Sequence, residues 1–105
     1  QEIIVLVGEI DTVVWIKGEW SCEIPFGTRL SIWPLGEQFF HGSTGLKYSL
    51  KDLTLHPLNL IGTSNETTEN NFSISPSNKY ASRYVTIIPS KNFLNLYKSL
   101  ISKLL

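Results

Sequence analysis

The stretch 83–105, RYVTIIPSKNFLNLYKSLISKLL, decides how the rest of the chain is read. Arg83 to Ile88 has the β-branched, alternating character of a strand, and Pro89 ends it. Ser90 is placed to cap a helix, because its hydroxyl can accept a hydrogen bond from the first free backbone donors. Phe93, Leu94, Leu96, Tyr97, Leu100, Ile101, Leu104 and Leu105 then recur at helical spacing, with Asn92, Asn95, Lys98, Ser99, Ser102 and Lys103 between them. A helix of about fifteen residues is marginal by itself. It therefore needs an apolar surface to cover, and Phe93, Leu96, Tyr97, Leu100 and Leu104 are expected to face a curved sheet.

That sheet is legible upstream. Ile3-Ile4-Val5-Leu6-Val7 is a β-branched run ended by Gly8-Glu9 and reads as a central strand. Thr12 to Ile16 repeats its character, Lys17-Gly18-Glu19 supplies a turn, and Trp20, Cys22 and Ile24 alternate with Ser21 and Glu23. Leu30 and Ile32 alternate with Arg29 and Ser31 until Pro34 and Gly36 break the chain. Gln38-Phe39-Phe40 is a short strand, and a further one runs through Leu46, Tyr48 and Leu50 toward Leu58, with bends at Lys51-Asp52 and His56-Pro57. Residues 62–79 are dominated by Ser, Thr, Asn and Glu, with Phe72 and Ile74 the only apolar pair, and read as a polar, mobile loop. The expected fold is α+β and mostly β: a strongly bent antiparallel sheet or half-open barrel of six to seven strands, capped by one C-terminal amphipathic helix. Residues 1–105 are expected to form a single domain.

Charge narrows the function classes. Nine basic and nine acidic side chains balance, which disfavours a partner held by charge, nucleic acid above all. Lys91, Lys98 and Lys103 line the helix and read as a solvated face. Cys22 is the one cysteine, so no internal disulfide forms, no zinc set is complete and no metal or cofactor site is expected. A reducing, intracellular setting, cytoplasmic or nuclear, follows as the expectation. The triplets Asn65-Glu-Thr and Asn71-Phe-Ser are glycosylation sequons that point the other way. With no methionine and no signal-like start, the chain reads as a domain of a longer protein.

The paired strands over Ile3 to Ile32, the strand YSLKDLTLHPL at Tyr48 to Leu58, and the final strand and helix together give a layout that resembles the pleckstrin-homology-like superfold. The layout is also similar to a polo box, and more distantly to an OB-fold barrel. The resemblance implies a bent sheet plugged by the terminal helix, and a binding module for phosphoinositides, peptides or other domains. Lys17 and Arg29 stand where the phosphoinositide-binding members carry basic residues, but Ser31 replaces the expected arginine.

Catalytic constellations are not evident. Ser49 and His56 are roughly 20 Å apart on an extended strand, too far for a local triad. GEQFFHGSTGLK lacks the phosphate-loop order. The acids Glu2, Glu9, Asp11, Glu19 and Glu23 lack calcium-loop spacing. The informative residues are aromatic. Trp20 shares phase with Cys22 and Ile24 and is expected in the core, whereas Trp33 is out of phase with Leu30 and Ile32. Phe39 and Phe40 are adjacent, so one faces outward. Trp33, Phe39, Phe40 and His41 are the expected partner-binding residues, since an outward aromatic patch marks an interface. The functional expectation is a non-enzymatic protein-interaction module, which binds a protein or peptide segment or self-associates as a homodimer. A carbohydrate-binding or adhesion domain and a phosphoinositide (membrane lipid) binder are the alternatives.

Overall fold

The computed structural model describes residues 3–56, 62–77 and 83–105. The expected bend at Pro57, the apolar position Leu58 and the end of the expected loop at 78–79 lie outside these residues. Among the described residues nine strands form two antiparallel sheets. β1 (Ile4–Val7), β2 (Asp11–Lys17), β4 (Arg29–Pro34), β7 (Gly62–Glu66) and β9 (Arg83–Pro89) make a five-stranded sheet in the order β1-β2-β9-β4-β7. β3 (Trp20–Glu23), β5 (Gln38–Thr44), β6 (Leu53–Leu55) and β8 (Asn71–Pro76) make a four-stranded sheet in the order β3-β8-β5-β6. A 3-10 turn at Ser90–Asn92 leads into α1 (Phe93–Leu104). The mostly-β class with one C-terminal helix is as expected, but the strands divide into two sheets and do not close a barrel.

Period-two alternation builds the core between the sheets. Val14, Ile16, Leu30, Ile32, Tyr84 and Ile88 point inward from the larger sheet, and Trp20, Cys22, Phe40, Leu55, Phe72 and Ile74 from the smaller. Trp20 meets Phe72 edge-on at 5.3 Å between ring centroids, and Phe40 meets Tyr84 at 5.7 Å. β9 is the middle strand of its sheet, in register with β2 from Asp11↔Pro89 to Lys17↔Arg83 and with β4 from Ser31↔Ile87 to Pro34↔Tyr84. The buried Tyr84 hydroxyl donates to the Gly18 carbonyl at 2.9 Å, which ties β9 to the turn between β2 and β3.

Three expectations are corrected. Among the described residues Ile4–Val7 is an edge strand paired with β2 alone, since its β-branched run satisfies strand propensity without specifying a position in the sheet. Residues 62–76 are largely β7 and β8 where a polar loop was expected. Two of their polar side chains, Asn65 and Thr67, are buried. Thr67, fully buried, donates through Oγ1 to the Pro25 carbonyl at 3.0 Å and accepts from the Thr28 N–H at 2.8 Å. Ser90 is not the cap of α1. Its hydroxyl donates to the Gly8 carbonyl at 2.7 Å and lies 2.8 Å from Thr12 Oγ1, and α1 begins three residues later after Asn92.

The helix itself packs differently from the amphipathic expectation. It lies against β3, where Trp20 Nε1 donates to Ser99 Oγ at 3.2 Å and the Cys22 thiol faces the Asn95 carbonyl at 3.9 Å. Leu96 and Leu100 are its buried residues, while Phe93, Leu94, Tyr97, Ile101 and Leu104 are exposed. The polar Asn95 and Ser99 thus flank the contact, and much of the apolar arc faces away from the core. No helix among the described residues is long and apolar enough to cross a membrane.

Two substitutions test this architecture. Gly45 has φ +70°, and a Cβ there would stand 2.1 Å from the Asn71 carbonyl oxygen, whereas Gly27 at φ +81° has open space around it. Gly45→Ala is expected to destabilise by about 3 kcal/mol or more, and Gly27→Ala by about 1 kcal/mol, the left-handed cost alone. Denaturant unfolding of both variants measures the difference. Burial holds the Tyr84 phenol well above its ordinary range. Its contribution is therefore complete below about pH 10, where the unfolded phenol titrates, and is lost as pH rises above it. Tyr84→Phe should cost about 1 kcal/mol at neutral pH and flatten the alkaline fall in stability, as read by unfolding across a pH series.

Candidate functional site

Inward-facing alternation on β2, β4 and β9 leaves Val13, Trp15, Ser31, Trp33, Val85 and Ile87 on the outer face of the five-stranded sheet, joined by Ile4 and Leu6 from β1. An outer sheet face is ordinarily polar, and this one is mostly apolar. Register places Ile4 opposite Trp15, Trp15 opposite Val85, and Val85 opposite Trp33, so one row crosses four strands. Trp33 is 38% exposed and Trp15 is half-buried. The Arg83 guanidinium lies over the Trp15 ring with Cζ 5.7 Å from its centroid, a cation-π contact that leaves Trp33 open.

Beside Trp33 the pairing of β4 with β7 is interrupted. Leu30 pairs with Asn65 and Ile32 with Gly62, so residues 63 and 64 together oppose Ser31 in a bulge. Ser64 adopts φ +61° and is exposed. A non-glycine residue held in the left-handed region costs about 1 kcal/mol and persists only where its surroundings fix it. Asn65 supplies that fixing. It is 2% exposed, its Oδ1 accepts from the N–H groups of Tyr48 at 3.1 Å and Glu66 at 2.9 Å, and its Nδ2 donates to the Tyr48 carbonyl at 2.9 Å. The same clamp holds the segment 46–48 along the free edge of β7, with Lys47 N–H donating to the Glu66 carbonyl and Leu46 bridged to Thr67. The Asn65 sequon amide is thus buried and engaged, while Asn71 is exposed. Trp33 and Ser31 thus share one face beside a bulge at which Ser64 is exposed, a set able to stack a flat ring and hydrogen-bond its edge.

The four residues expected to form one patch are separated. Trp33 lies on the outer face of the larger sheet. Phe39 and His41 lie on the outer face of the smaller one, edge-to-face at 6.4 Å and both exposed. Phe40 is in the core. Adjacent residues on a strand point to opposite sides, and β4 and β5 belong to different sheets, so no single surface collects them. The polar bulge at Ser64 and the buried role of Asn65 were missed by the sequence reading. The available signal was Gly62 followed by Thr, Ser and Asn between strand patterns, a composition common to turns and bulges.

A concavity of about 690 Å³ runs between β3 and the polar side of α1, with Ser21, Ser73, Lys98 and Ser102 on its walls and the buried Cys22 and Phe72 at its floor. Burial raises the Cys22 thiol above its ordinary range, which keeps it protonated and unreactive. Among the described residues no group of His, Cys, Asp and Glu is arranged to hold a metal ion.

Comparison with known proteins bears on both fold and family. The fold is similar to that of thiamine pyrophosphokinase from Bacillus subtilis, with a TM-score of 0.68 at 19% identity over 84% of this chain and 41% of that one. It is similar to thiamin pyrophosphokinase from Geobacillus thermodenitrificans, with a TM-score of 0.67 at 20% identity over 83% of this chain and 40% of that one. Thiamin pyrophosphokinase from Candida albicans gives a TM-score of 0.67 at 19% identity, over 83% of this chain and 33% of that one. The chain thus spans well under half the length of the structures it matches. No curated protein matches it by sequence. The family model of the thiamin pyrophosphokinase vitamin B1 binding domain matches residues 21–81, more than half of the chain, and its span contains Ser31, Trp33, Ser64 and Asn65.

These findings overturn the resemblance to the pleckstrin-homology-like superfold and the polo box, whose strand-then-helix layout is shared but whose single bent sheet is not. They also overturn the expectation of a non-enzymatic interaction module with a protein-segment, peptide or membrane-lipid partner, and the carbohydrate-binding and phosphoinositide alternatives. The matching family is named for a small-molecule ligand and for an enzyme. A count of strands before a helix cannot tell one bent sheet from two stacked ones. The chain belongs to the family of the thiamin pyrophosphokinase vitamin B1 binding domain.

Proposed function

We propose that this chain binds thiamin on the outer face of its five-stranded sheet, as the vitamin-binding portion of a longer thiamin pyrophosphokinase. The observation that carries the reading is the family match over residues 21–81, which spans both Trp33 and the Ser64 bulge. Thiamin joins a flat aminopyrimidine to a cationic thiazolium. The open Trp33 indole suits either ring, by stacking or by cation-π attraction. Ser31 and Ser64, at the bulge beside it, supply hydroxyls for ring nitrogens and the exocyclic amine. The strain at Ser64, held by the Asn65 clamp, supports a role in presenting that edge rather than in folding.

In this reading the domain holds and orients the acceptor alcohol, and transfer of the diphosphoryl group, which is chiefly positioning and charge stabilisation, belongs with the remainder of the protein. Trp33 keeps its binding role, with a vitamin in place of a protein segment. Phe39 and His41, on the other sheet, take no part. A reducing, intracellular setting accompanies the reading, supported by the lone, buried thiol of Cys22.

Calorimetric titration of the natural full-length protein with thiamin tests this. Trp33→Ala is expected to weaken thiamin binding by about tenfold or more, equivalent to ~1.4 kcal/mol, with a change of only a few degrees in Tm because the indole is partly exposed. Phe39→Ala should bind as the wild type does. Wild-type affinity in Trp33→Ala would place the vitamin elsewhere.

A further inference from the structure

Lys17 and Arg83 stand directly opposite each other in the register of β2 and β9, and both side chains lie half-buried on the outer face. Like charges in direct cross-strand register repel. Neither is paired with a carboxylate among the described residues, and Arg83 instead rests on the Trp15 ring. Val85, two residues beyond Arg83 on the same face, opposes both Trp15 and Trp33. Arg83 is therefore the diagonal neighbour of both indoles, at the roughly 7–8 Å spacing of such pairs. Two cations without a carboxylate partner among the described residues thus border one end of the tryptophan row, and the opposite end of the face carries Asp11 and Glu66 beside Arg29.

We propose that Lys17 and Arg83 form an anion seat for the phosphate-bearing arm of a ligand whose ring stacks on Trp33, so that the site holds phosphorylated thiamin more tightly than thiamin itself. The inference rests on the thiamin-binding reading above and sharpens it. Thiamin is a cation, and the pair repels it weakly. Its diphosphate is a net anion that relieves the Lys17–Arg83 repulsion, and the planar guanidinium offers paired N–H donors to phosphate oxygens. The aromatic row fixes the ring and the cation pair fixes the arm. The domain then discriminates by phosphorylation state and retains the phosphorylated product, so product release limits turnover and falls under control of salt.

The test measures dissociation constants of the natural full-length protein for thiamin, thiamin diphosphate and inorganic pyrophosphate at low and at elevated salt, in wild type, Arg83→Gln, Lys17→Gln and Arg83→Lys. The wild type should bind thiamin diphosphate at least fivefold more tightly than thiamin at low salt, and elevated salt should shrink that ratio. Arg83→Gln and Lys17→Gln should each weaken the diphosphate at least fivefold more than they weaken thiamin, and Arg83→Lys should restore part of the loss. Equal losses for the two ligands, or unchanged diphosphate binding, would overturn the anion seat. So would inorganic pyrophosphate binding as tightly as the diphosphate ester, since the pair would then be a general anion site. The placement of the ring on Trp33 fails separately, through intact thiamin binding in Trp33→Ala.

Discussion

The double seam along Arg83–Pro89 organises this molecule. β9 pairs with β2 on one side and β4 on the other, so its displacement would separate the larger sheet into two pieces. Its inward residues Tyr84 and Ile88 fill the core between the sheets, and its outward residues Val85 and Ile87 form the middle of the exposed face. Strand alternation therefore makes one segment responsible for both stability and surface. The same strand brings Trp15 and Trp33, distant in sequence, into one row by opposing both to Val85.

A sheet that is apolar on both faces, with one face uncovered, needs a counterpart in its chemistry. The bulge opposite Ser31 gives this one a polar boundary, and the Asn65 amide makes that boundary rigid by engaging the Tyr48 and Glu66 main chain. The result is an aromatic floor with a bulge at one side and, at another, two cations that no carboxylate among the described residues neutralises. Such a surface suits a small, flat, charged ligand better than an extended partner, in accord with the vitamin-binding family to which the chain belongs.

Part of this was legible in the sequence. Period-two phase placed Trp20 inside and Trp33 outside, because a strand's alternation is a local property. The helix after Pro89 was legible for the same reason. The side on which that helix packs was not, since Asn95 and Ser99 meet β3 through the Trp20 indole and the Cys22 thiol, contacts that hydrophobic periodicity does not register. The polar stretch from Gly62 onward failed in a related way. Asn65 and Thr67 are buried because their side chains replace missing backbone partners, and composition alone cannot tell such residues from solvated ones. Partition into two sheets depends on long-range pairing, and strands of identical character serve either sheet.

The three tryptophans occupy three environments: Trp33 open on the outer face, Trp15 on that face beneath Arg83, and Trp20 in the core against the helix. Their indole N–H resonances, followed by nuclear magnetic resonance in the natural full-length protein labelled at tryptophan, report separately on each place. Addition of thiamin should shift the Trp33 signal most, the Trp15 signal less, and leave Trp20 in place. A shift concentrated at Trp20, with Trp33 unmoved, would contradict the account and put the ligand in the groove between β3 and the helix.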